Sequence, residues 1–129
     1  MLMEHPIVQK IMKEGINSVN LSMLDDSSRK NILEDVGEKL YRESRYKEAI
    51  EIFTKANQTD KLVKYGDLFM NEGKTELATL FYLPTKDKQR LNNAAVMCIQ
   101  SKNYDLAASA YRAADNHQMA SFIEKNFTG

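Results

Sequence analysis

Apolar residues recur at steps of three and four through most of this chain, and short polar stretches interrupt them at regular distances. Ile32, Leu33, Val36 and Leu40 make one such stripe, and Ala49, Ile52, Phe53 and Ala56 make the next. Leu62, Tyr65, Gly66 and Phe69 are followed by Leu77, Ala78, Phe81 and Tyr82. Leu91, Ala94, Ala95 and Cys98 are followed by Ala107, Ala110, Tyr111 and Ala114. Steps of three and four place each set on one side of a helix, so the pattern predicts amphipathic helices that follow one another in pairs.

The interruptions carry the matching start and stop signals. Asp25-Asp26-Ser27-Ser28 offers side-chain oxygens to the free N–H groups that open the first of these helices. Ser44-Arg45 breaks the stripe after Leu40. Asn71-Glu72-Gly73-Lys74 is a turn in which Gly73 suits a left-handed C-cap. Pro84 ends the helix that holds Tyr82, because proline has no N–H to continue it. Lys102-Asn103-Tyr104 forms the turn of the next pair, and Asp115-Asn116 closes it.

The pairs are copies of one unit. Ala49, Ala78 and Ala107 stand 29 residues apart, and each keeps the same company. Leu33, Leu62 and Leu91 precede them; so do the small residues Gly37, Gly66 and Ala95; the aromatics Phe53, Tyr82 and Tyr111 follow one turn later. A fixed period of this size is the mark of a solenoid. Glycine inside a helix costs about 1 kcal/mol relative to alanine. Gly37 and Gly66 at one register are therefore explained by close approach of two helices, with the aromatic filling the space beside the crossing.

The register extends into both flanks. Ile7, Val8 and Ile11 lie 29 residues before Val36, Gly37 and Leu40, with Pro6 suited to a first turn and Gly15 to an end, but Asn20 holds the alanine place. Ala120, Ile123 and Phe127 lie 29 residues after Leu91, Ala94 and Cys98. The expected organisation is one α-solenoid domain: a degraded N-terminal cap over 1–28, repeats over 29–58, 59–87 and 88–116, and a capping helix over 117–129.

On these residues the chain resembles the tetratricopeptide-repeat (TPR) superfamily. Leu33, Val36, Gly37, Tyr46, Ala49, Phe53 and Ala56 fall where that family keeps its small and large packing residues, and Leu91, Ala94, Ala95, Tyr104, Ala107, Tyr111 and Ala114 repeat the set. The family's usual period is about 34 residues. The shorter unit is reminiscent of the helical-hairpin solenoids of vesicle-coat and ciliary-transport proteins. The resemblance implies an all-α, right-handed superhelix of TPR-like hairpins, about three repeats between terminal capping helices. It also implies a concave face, lined by the first helix of each hairpin, that binds a peptide or a partner domain. The residues it places there are Asn31, Glu34, Glu38, Tyr41 and Arg42, then Val63, Asp67, Met70 and Asn71, then Asn92, Val96 and Ile99. One subset of the family clamps a peptide's terminal carboxylate with lysines and asparagines. Glu34, Glu38 and Lys64 stand at three of those places, so that activity is not expected.

Composition narrows the function further. The chain has 129 residues, enough for one domain with a core. Its 18 Lys and Arg balance 18 Asp and Glu, which leaves no electrostatic footprint for nucleic acid or an anionic membrane. No apolar run approaches the roughly 20 residues of a membrane helix, and the start lacks a signal-peptide pattern, so a cytoplasmic protein is expected. One cysteine, Cys98, permits no internal disulfide and sits at a core register. His5 and His117 have no metal-ligand spacing with it, the five glycines form no phosphate loop, and Asp25-Asp26 reads as a helix cap rather than a cation site. The tyrosines read as packing residues.

The expectation is a non-enzymatic interaction module without cofactor or metal, in which Tyr41, Val63, Met70, Val96 and Ile99 supply affinity and Glu34, Glu38 and Asp67 select a partner by charge. The alternative is a structural subunit that associates through its ends, as a homodimer or as part of a larger assembly, and an enzyme with an unrecognised site ranks third. The methionines Met1, Met3, Met12 and Met23 of the N-terminal flank and Phe127 motivate the structural reading.

Overall fold

The structure, a computed structural model of the chain, describes residues 5–127. Among those residues the fold is all-α, with no strand. Met1 and Met3 lie outside the described residues. The chain divides into two compact units, Met1–Gln58 and Thr59–Gly129.

The first unit holds α1 (Pro6–Glu14), α2 (Asp26–Arg42) and α3 (Tyr46–Lys55). Pro6 opens α1 behind His5, whose Nδ1 accepts the Ile7 N–H at 3.0 Å, and Gly15 closes it at φ 99°. Val8 and Ile11 are its buried residues. A second α-helix does not follow: only a 3-10 turn, Ile16–Ser18, forms before α2. Asn20, at the alanine place of the 29-residue register, thus lies outside any helix. Two arginines hold this segment through backbone carbonyls. Arg29 donates to Leu21 O at 3.2 Å and to Leu24 O at 2.7 Å, and Arg45 donates to Met12 O at 3.3 Å. Asp25 caps α2 by accepting the Ser28 N–H at 2.8 Å. Ile32, Leu33, Val36 and Leu40 on α2 close over Ala49, Ile52 and Phe53 on α3, all buried.

The second unit holds α4 (Thr59–Asn71), α5 (Thr75–Tyr82), α6 (Lys88–Gln100), α7 (Tyr104–Ala113) and α8 (His117–Phe127). Each of these helices packs on the next in sequence. Pro84 stops α5 as expected, and a 3-10 turn, Leu83–Thr85, leads to α6. Asp87 and Asn103 cap α6 and α7 through their side chains, and Asn116 Oδ1 accepts the Met119 N–H at the start of α8. Cys98 is buried, with its sulfur 3.5 Å from Thr79 Oγ1 in the core between α5 and α6. On the last helix, Arg112 of α7 forms an ion pair with Glu124 of α8.

Gly37 and Gly66 each lie where a side chain would have no room. A Cβ on Gly37 would lie 2.5 Å from Cε1 of Phe53, and a Cβ on Gly66 would lie 2.5 Å from Cε1 of Tyr82. The Phe53 and Tyr82 rings thus lie flush against the backbone of the partner helix.

Helix ends show a second regularity. Ser44, Gly73 and Lys102 adopt left-handed backbone at φ 61°, 77° and 63°. Asn57, Lys86 and Asp115 do so at φ 55°, 60° and 61°. Within each trio the spacing is 29 residues. Five of the six carry the six-to-one bond of a Schellman motif: Arg45 N–H to Leu40 O, Gln58 to Phe53, Lys74 to Phe69, Asn103 to Cys98 and Asn116 to Tyr111.

Candidate partner-binding cleft

The expected face residues are placed unit by unit. In the first unit Glu34, Glu38 and Tyr41 on α2 are half-buried, and Asn31 and Arg42 are exposed. Glu34 Oε2 accepts from the buried Gln58 Nε2 at 2.9 Å, and the Tyr41 ring lies 5.7 Å from that of Tyr46. In the second unit Val63, Asp67 and Met70 on α4 are half-buried and Asn71 is exposed. On α6, Asn92 accepts from Asn116 Nδ2 at 3.2 Å, Val96 is exposed and Ile99 is half-buried.

Asp67 and Met70 are the two of these that meet in a cleft, an open cavity of about 500 Å³ in the second unit. Tyr82 contributes from α5. Gln89, Arg90, Asn93 and Met97 contribute from α6. Val96 and Met97, neighbours on α6, are 45% and 39% exposed, so apolar surface is displayed on this helix.

The floor is a network of charge-assisted bonds. Arg90 Nε donates to Asp67 Oδ1 at 2.8 Å and Nη2 donates to Oδ2 at 2.9 Å, a bidentate fork. Arg90 Nη1 donates to Asp87 Oδ2 at 2.7 Å. The Tyr82 hydroxyl donates to Asp67 Oδ1 at 2.6 Å. The Arg90 guanidinium holds the Asp67 and Asp87 carboxyls below their ordinary range, and the two carboxylates in turn raise Arg90. Burial, then the bond to Asp67, raises the Tyr82 phenol. All four groups keep their usual ionisation at neutral pH. The network braces α4 against α5 and α6 through side chains bonded to one another.

A second cavity of about 420 Å³ opens beside the α4–α5 turn, at Lys74, Thr75, Glu76, Ser101 and Asn103, with Cys98 at its floor. Burial raises the Cys98 thiol, which keeps it protonated and unreactive. Among the described residues no group of three or more His, Cys, Asp and Glu side chains is placed to hold a metal ion, and no helix is long and apolar enough to cross a membrane.

Tyr82, Gln89, Arg90, Asn93 and Met97 were absent from the expected face. Arg90 lies 23 residues after Asp67, a separation that matches no helical neighbour spacing, so the ion pair has no local signature. Gln89, Asn93 and Met97 recur at steps of four on α6, which is the one signal that marks them as a second stripe. Comparison with protein-family models, with curated proteins and with solved structures finds no match for this chain.

Proposed function

We propose that this chain is a non-enzymatic protein-interaction module or scaffold, and that it binds a peptide or a partner domain on the face formed by the first helices of its hairpins. The architecture proposed with it is a right-handed α-α superhelix of about three TPR-like repeats, 29–58, 59–87 and 88–116, between terminal caps. The 29-residue spacing of the left-handed helix caps and the glycine–aromatic contacts at Gly37 and Gly66 support that reading. The observation that carries the function is the open cleft of the second unit, walled by Met70 and Met97 beside the exposed Val96. Its size falls in the range of recognition sites, and its titratable groups are engaged with one another. In the first unit the proposed face residues are Glu34, Glu38, Tyr41 and Arg42 on α2. A cytoplasmic setting and protein partners go with this reading.

Site-specific photocrosslinking tests it. A photoreactive residue at Met97 or Ile99 is expected to capture a defined partner from lysate, whereas the same residue at the exposed Ser109 of α7 is not. Capture at Ser109 alone would move the interface off this face.

The C-terminal end favours a second reading, that of a structural subunit. Phe122 and Phe127 are 52% and 48% exposed, and the Phe127 ring stacks on Tyr104 at 4.7 Å. Light scattering at tens of micromolar separates the readings: a dimer abolished by Phe122→Ser with Phe127→Ser supports end-to-end assembly, and a strict monomer removes it.

A further inference from the structure

We draw no further inference here: the strongest candidate, the open cleft of the second unit walled by Met70 of α4 and Met97 of α6, belongs to the site already described, and nothing in the structure shows what covers it.

Discussion

Gly66 and Tyr82 show how a single missing side chain sets a helix crossing. Alanine is the better helix former by about 1 kcal/mol, so an exposed Gly→Ala change would stabilise. Here the added Cβ would meet the Tyr82 ring at 2.5 Å, and at Gly37 it would meet Phe53 at the same distance. Overpacking of a core costs about 1–3 kcal/mol. Gly66→Ala and Gly37→Ala are therefore expected to lower stability in urea denaturation by up to about 2 kcal/mol net, and Phe53→Leu should recover part of the Gly37→Ala loss. The left-handed caps run the other way. Ser44, Lys102 and Asp115 hold positive φ without being glycine. Replacing Lys102 by glycine relieves that strain and is expected to stabilise by up to about 1 kcal/mol in thermal melts, with a smaller gain at Asn57, since asparagine tolerates this backbone. These caps mark the limit of reading a sequence residue by residue. Gly73 announces its turn because glycine is the usual left-handed cap. Lys86 and Lys102 adopt the same conformation because the helices on either side pack in only one way, and lysine carries no mark of it.

The braced helices of the second unit make a prediction about pH. Asp67 and Asp87 are both depressed by Arg90. A carboxyl with a lowered folded pKa adds stability that is complete above its ordinary value near 4 and is lost as pH falls through the lower folded value. Unfolding free energy is thus expected to stay level as pH drops to about 5, then to decline below about 4. Asp67→Asn should shrink that acid decline and leave the part due to Asp87. The side chains of Asp67 and Arg90 are each 39% exposed, so the neutral-pH loss in Asp67→Asn is expected to be about 1 kcal/mol or less. The helices themselves were legible in the sequence: Pro6, Asp25, Pro84 and Asn116 bound them where their chemistry says they should, and Cys98 lies in the core its register requires. The cleft was legible only in part. Asp67 and Met70 are among the places the family resemblance implies, but Arg90, Tyr82 and Met97 reach them across helix boundaries. Pairing over such distances is decided by packing.

At the scale of the whole molecule, packing runs mainly between neighbours in sequence, and the elements differ in how much they bury. α1 buries Val8 and Ile11 and is followed by a stretch without α-helix, whereas α6 buries Leu91, Ala94, Ala95 and Cys98 between its neighbours. Hydrogen exchange is expected to reach α1 first and α6 last, since local opening follows buried contacts; uniform protection across both would contradict this. The ion pair between Arg112 and Glu124 sets α8 apart from the helices before it. In the 29-residue register Glu124 holds the place of Gly37, Gly66 and Ala95. Glu124 thus holds a long, paired side chain where Gly37, Gly66 and Ala95 are small, so α7 is tied to α8 by charge at the place where Phe53 and Tyr82 tie their helices by ring contact, and raised salt is expected to loosen α8 before the other helices of the second unit in hydrogen exchange.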